Sequence, residues 1–308
     1  MKTMSGPRDR RRATRRVLPA LVAAVGLLLA ACSSTDGTPT PAPSTSAAPE
    51  PFLTDVTSVA AMGDSITAGV NACGKQGACA AASWATGSDT SVMSLSSRIA
   101  SLAGSAPAVY NEARPGIRAA QLGDQLDQVV KTAPGLVVIL AGANDACRTS
   151  IGVVTGAQEF GESIGEVLDT ISTELPDTHI FITSIPDLPQ LVDLFADSDA
   201  AHAVWSDFAG CASLLQNATS TDKADVDRRA AIGQRIVQYN AQIEQRCQDQ
   251  PRCTYDGGAV HAAQFSQQDI STVDYFHPSE TGQGKLAEVA WQALLGAAEE
   301  CAASGRTC

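Results

Sequence analysis

Short apolar runs alternate along the chain with stretches whose apolar residues recur every three or four positions. The runs Val59–Met62, Ala108–Tyr110, Leu136–Leu140 and Ile180–Thr183 predict buried strands, with a shorter fifth at Thr254–Tyr255. Between them, Leu122, Leu126, Val129 and Val130 fall on one helical face. Phe160, Ile164, Val167, Ile171 and Leu175 make a second, Ile232, Ile236, Tyr239 and Ile243 a third, and Leu286, Val289, Ala290 and Leu294 a fourth. Strands alternating with amphipathic helices predict a three-layer α/β/α sandwich around a mostly parallel central sheet. The segment Asp187–Lys223 breaks the alternation. Trp205, Phe208, Leu214 and Leu215 are scattered through it without a period, and it is too long for a plain connection, so it reads as a cap or substrate-side insertion.

The N-terminal end follows a different logic. Lys2, Arg8, Arg10, Arg11, Arg12, Arg15 and Arg16 precede an apolar stretch from Val17 to Ala31, the charged and apolar regions of an export signal. The stretch ends Leu29-Ala30-Ala31-Cys32, which resembles the lipobox of bacterial lipoproteins and implies cleavage before Cys32 and acylation of its sulfur. Thr14-Arg15-Arg16 is similar to a twin-arginine signal, leaving the export route open. Residues after Cys32 are rich in Ser, Thr, Pro and Ala and bury too little apolar surface to offset ordering. The organisation read from the sequence is therefore a signal peptide at 1–31, an acylated Cys32 with a disordered tether at 32–51, and one folded domain at 52–308.

Removing the leader changes the charge. Beyond residue 31 the chain holds 14 basic against 32 acidic groups, a net charge of −18. Such a surface repels nucleic acid and anionic headgroups, so membrane contact is expected through the lipid anchor alone. The expected protein is a monomer that is exported, held at the outer face of the cell membrane or released. Eight cysteines remain besides Cys32, an even number that in an exported protein predicts disulfides. Sequence proximity pairs Cys73 with Cys79, Cys247 with Cys253 and Cys301 with Cys308, leaving Cys147 with Cys211, one of 105 possible connectivities. No CxxC pair or HExxH motif occurs, so neither a metal nor another cofactor is expected.

Four short segments carry chemistry. Gly63-Asp64-Ser65-Ile66-Thr67 follows the first strand, where a serine hydroxyl at a strand-to-helix turn is lifted into the crevice at the carboxyl ends of the strands. Read alone, it is equally a glycine turn with Ser65 or Thr67 as a helix cap. Asn111-Glu112-Ala113-Arg114-Pro115-Gly116 follows the second strand, and Gly116 allows its N–H to approach a ligand closely. After the third strand, Gly142-Ala143-Asn144-Asp145 offers the Asn144 amide as an oxyanion donor, or forms an ordinary Asx turn. Asp274-Tyr275-Phe276-His277 places a carboxylate three residues from an imidazole, close enough to hold one ring nitrogen and leave the other to take a proton. Of the four histidines, His179 opens a strand, His202 lies in the insertion and His261 has no adjacent acid. Only His277 has a carboxylate placed to orient it.

Together these segments resemble the GDSL (SGNH) hydrolase family. Ser65 matches the family's block I serine within Gly-Asp-Ser, and Gly116 the block II glycine, with the Asn-x4-Gly spacing from Asn111. Asn144 matches the block III asparagine, and Asp274 and His277 match the block V Asp-x-x-His. Block I has Ile66 where the family often has Leu. The resemblance implies an SGNH hydrolase, flavodoxin-like fold. It also implies a serine ester hydrolase with Ser65 as nucleophile, His277 as base and Asp274 orienting it, and an oxyanion hole formed by the N–H groups of Ser65 and Gly116 with the Asn144 side chain. Ser83-Trp84-Ala85-Thr86-Gly87, Cys147, the Pro278-Ser279 extension and Trp291 are similar to the phospholipase B-like branch, implying a small-molecule or lipid ester substrate, phospholipid or lysophospholipid among them. Both tryptophans also read as core packing. The alternatives are a carbohydrate O-deacetylase, disfavoured by only 5% aromatic residues, and a surface binding protein on a retired scaffold.

Overall fold

A computed structural model describes residues 51–207 and 209–304. Five strands form one sheet: β1 Ser58–Gly63, β2 Ala108–Asn111, β3 Leu136–Leu140, β4 His179–Ile182 and β5 Cys253–Tyr255. All neighbours run parallel, in the order β2-β1-β3-β4-β5. Every residue of β3, and every residue of β1 but Ser58, is buried, as happens when helices cover both faces of a parallel sheet. The longer helices are α1 Leu95–Ala103, α2 Leu126–Thr132, α3 Ala157–Glu174, α4 Asp199–Asp207, α5 Lys223–Gln248 and α6 Glu280–Ser304. α1 packs with α6, while α2 and α5 pack on α3, giving the two outer layers that the alternation predicts.

The apolar stripes bury as expected. Phe160, Ile164 and Ile171 on α3, Ile232, Ile236, Tyr239 and Ile243 on α5, and Leu286, Ala290 and Leu294 on α6 lie in one continuous core. Val289 is only partly buried. The stripe from Leu122 to Val130 is not one helix: a 3-10 segment, Ala119–Gln125, precedes α2. Trp84 and Trp291 are both core residues.

The insertion is more ordered than its lack of period suggests. It contains helical turns at Gln190–Leu194 and Ala212–Leu215 around α4, with Phe195, Trp205, Leu214 and Leu215 buried. Short helices carry too few turns to show a period, so packing of single anchors replaces a stripe. Phe208 lies outside the described residues.

Three disulfides join Cys73–Cys79, Cys147–Cys211 and Cys247–Cys253, the pairs proximity indicates, and they fit an exported protein. Cys301 is also disulfide-bonded, while Cys308 lies outside the described residues. So do the leader, Cys32 and the tether up to residue 50. No helix among the described residues is long and apolar enough to cross a membrane.

Candidate active site

The sheet order fixes where the site forms. From β1 the chain crosses to β2 on one side, whereas β3, β4 and β5 extend on the other. The crevice between the carboxyl ends of β1 and β3 is thus the point where the winding reverses, the general ligand position of open α/β sheets. Ser65 follows β1, Asn144 follows β3, and Gly116 lies beyond the end of β2, so three neighbouring strands deliver the three predicted donors to one rim.

The turn after β1 needs its glycine. Gly63 has φ +142°, and a Cβ there would lie 2.1 Å from the Leu140 carbonyl oxygen. Gln125 clamps this residue on both sides, accepting from its N–H at 2.9 Å and donating to its carbonyl at 2.8 Å. Ser65 follows, 8% exposed. Its Oγ lies 2.7 Å from His277 Nε2, and His277 Nδ1 meets Asp274 Oδ2. The second Asp274 oxygen accepts the backbone N–H groups of Phe276 at 3.0 Å and His277 at 3.1 Å. Burial pushes the Asp274 carboxyl up, but the hydrogen bonds and charge of His277 and these N–H donors outweigh it and hold the group below its ordinary range. A carboxylate, an imidazole and a hydroxyl are thereby in line, an arrangement able to draw the proton from Ser65.

The loop from 271 to 277 is fixed by groups that no motif in the sequence singles out. Asn71 Nδ2 donates to Asp274 Oδ2 at 2.8 Å. Trp205 Nε1 donates to the Tyr275 carbonyl at 3.2 Å, so the insertion grips the turn between acid and base. Tyr275 has φ +54°, an uncommon left-handed conformation for an aromatic residue, and its ring packs edge-on against Phe195 at 5.3 Å.

In the turn after β3, Asn144 Nδ2 is buried and has no hydrogen-bond partner among the described residues. An amide donor held dry and unpaired is suited to a negative oxygen that arrives only with a substrate. Its neighbour Asp145 ties the rim together: Oδ2 accepts the Ala119 N–H at 2.9 Å, three residues after Gly116, and Oδ1 accepts Thr155 Oγ1 at 2.9 Å. Burial raises the Asp145 carboxyl above its ordinary range, with these donors pulling the other way. Gly116 itself is exposed at φ +81°. Asn111 does not face substrate. Its Nδ2 reaches the Thr67 carbonyl, Ser83 Oγ and Thr86 Oγ1 at 3.0–3.2 Å, binding the first two site loops together.

Asp64 is fully buried beside the serine. Oδ1 accepts the Ile66 N–H at 2.9 Å, whereas Oδ2 has no hydrogen-bond partner among the described residues. Burial raises its pKa to about 6, opposed by the Ile66 N–H and by the charge of His277. His179, His202 and His261 are not drawn into this site: His179 stacks on Phe52, His202 packs by Trp205, and His261 Nδ1 meets the Ile185 carbonyl. No cluster of His, Cys, Asp or Glu able to hold a metal occurs among the described residues.

No curated protein matches the sequence. Among solved structures, a family 3 carbohydrate esterase of Clostridium thermocellum aligns at 15% identity over 80% of this chain and 98% of its own, with TM-score 0.49. An acetylxylan esterase of Geobacillus stearothermophilus aligns at 15% over 77% and 94%, with TM-score 0.48. A lipase/acylhydrolase of Enterococcus faecalis aligns at 19% over 78% and 96%, with TM-score 0.41. The pattern of the GDSL-like lipase/acylhydrolase family matches residues 59–290, from the first strand to the last helix, and the chain belongs to that family.

Proposed function

We propose that this protein is a serine ester hydrolase acting by acyl transfer. The observation that carries the reading is the 2.7 Å contact of Ser65 Oγ with His277 Nε2 while Asp274 holds the other ring nitrogen. His277 takes the hydroxyl proton as Ser65 Oγ attacks the ester carbonyl, and the imidazolium returns that proton to the departing alkoxide. The tetrahedral oxygen is stabilised by the N–H groups of Ser65 and Gly116 and by Asn144 Nδ2. Water, deprotonated by His277, then releases the acid and restores Ser65.

The substrate reading we favour is a lipid or other apolar ester. A small apolar pocket is lined by Ile66 and Phe276, the residues next to Ser65 and His277 in the chain, with Leu188, Leu191, Phe265 and Ile270. Leu188 and Leu191 belong to the Asp187–Lys223 insertion, which supports that segment as the wall of an acyl slot. Export and anchorage through an acylated Cys32 would present this site at a membrane face.

Hydrolysis of p-nitrophenyl esters from acetyl to palmitoyl, by the wild type beside Ser65→Ala, tests both parts. We expect activity to vanish in the variant and to peak above the acetyl ester in the wild type. A peak at acetyl favours the O-deacetylase reading, and a folded wild type inert to every ester and to a serine-directed phosphonate returns the binding-protein reading.

A further inference from the structure

We propose that Asn71 is a positioning residue for the Asp274–His277 pair, an inference that rests on the serine-hydrolase reading of the site. Asn71 is 6% exposed and lies at φ +60°, a left-handed conformation that asparagine tolerates better than other residues with a Cβ. Its amide has one orientation open to it. Oδ1 accepts the Gly77 N–H at 2.9 Å, and a backbone N–H only donates, so Nδ2 is the atom turned to Asp274. That donation, at 2.8 Å, goes to Oδ2, the oxygen that meets the imidazole. Asp274 therefore has each oxygen held, Oδ1 by two backbone donors of its own turn and Oδ2 by Asn71 from a distant loop.

Asn71 also anchors its loop, and the two roles separate by atom. Its backbone N–H donates to the Gly77 carbonyl at 2.8 Å, and its carbonyl accepts Ser271 Oγ at 2.8 Å and the Gly74 N–H at 3.2 Å. These backbone bonds join the loop within Cys73–Cys79 to the loop bearing Asp274 without using the side chain. The Nδ2 contact is a second bond across a junction that Ser271 Oγ already makes. What it adds is direction: it stops the Asp274 carboxylate from rotating about its terminal bond and keeps Oδ2 facing the imidazole, so that the tautomer competent to accept from Ser65 is maintained.

The test uses the full-length protein with Asn71→Ala, which removes the donor, and Asn71→Asp, which keeps the size and the acceptor for Gly77. Kinetics on p-nitrophenyl butyrate are measured beside the proton NMR signal of His277 Nδ1–H. We expect kcat to fall at least about tenfold in both variants with KM within about twofold, and the Nδ1–H signal to shift or broaden. A kcat within about twofold of wild type overturns the proposal. So does a loss of kcat that only tracks the folded fraction with the Nδ1–H signal unmoved, which marks a loop anchor. Should Asn71→Ala not fold, Asn71→Asp decides by the same criteria. Ser65→Ala separates the underlying reading: hydrolysis surviving that change removes the serine mechanism itself, whereas hydrolysis lost there but indifferent to Asn71 removes only the positioning role.

Discussion

Two side chains at the site each keep one polar atom buried and unpaired among the described residues, and the physical consequence differs because one is a donor and the other an acid. In the proposed mechanism Asn144 Nδ2 gains its partner only when a tetrahedral oxygen forms, so its removal should weaken the transition state more than the ground state. We expect Asn144→Ala to lower kcat by about 10²–10³-fold with little change in KM, read by steady-state ester hydrolysis. Asp64 is held with a pKa of about 6, above the 3.8 of an unperturbed group. Between these values Asp64 binds its proton more tightly in the folded protein than in the unfolded chain, so the contribution of this group to stability is greatest below about pH 4 and is lost as pH rises towards 6. The shift corresponds to about 3 kcal/mol at most. In Asp64→Asn this dependence disappears, so the melting temperature of the variant relative to wild type should climb from pH 4 to pH 7 in thermal scans.

Elements act here mainly by presenting their ends. The carboxyl ends of β2, β1 and β3 are adjacent, and each of these strands leads into a tight turn with one polar or glycine residue at the rim. The insertion serves the same rim from outside, tied to the turn after β3 by Cys147–Cys211 and to the Asp274–His277 turn by Trp205. By chain entropy this disulfide, closing a separation of 64 residues, stabilises by about 4 kcal/mol, against about 2 for each six-residue separation. Replacing Cys147 and Cys211 by Ser should therefore lower the urea midpoint more than replacing Cys247 and Cys253. Leu191, in the insertion's first helical turn, faces the apolar pocket. Leu191→Trp should reduce kcat/KM for long-chain esters at least about tenfold while sparing acetyl, as an acyl-length series would show. Several supports of the site were legible in principle. Gln125, Asn240 and Gln283 are polar residues on otherwise apolar helix faces, and each is buried: Gln125 clamps Gly63, Asn240 bonds both the N–H and carbonyl of Ile185, and Gln283 bonds the Trp84 N–H and the Ile66 carbonyl. A polar residue on a buried stripe marks a backbone that the fold must satisfy.

At the scale of the whole molecule, the charge of the chain beyond residue 31 argues that the domain does not seek anionic lipid by itself. Protein lacking residues 1–32 should stay in the supernatant when phosphatidylglycerol vesicles are sedimented, and protein exported by a lipoprotein-processing cell should pellet with them if it begins at an acylated Cys32. The amino-acid sequence by itself determined the alternation of strands and helices, because a continuous apolar run marks a strand covered on both faces and a period of 3.6 records which side of a helix meets the core. It also placed Ser65, Gly116, Asn144, Asp274 and His277 in segments of recognisable chemistry, because each sits in a short motif whose spacing a turn preserves. Only the tertiary structure decided which distant groups serve them. The winding reversal between β1 and β3 sets the three rim turns side by side. The Asn71–Asp274 contact spans 203 residues, and the Trp205–Tyr275 contact spans 70. Local periodicity reports burial within one element; a hydrogen bond between loops depends on where two chain directions happen to converge, and nothing in either loop's own sequence records that.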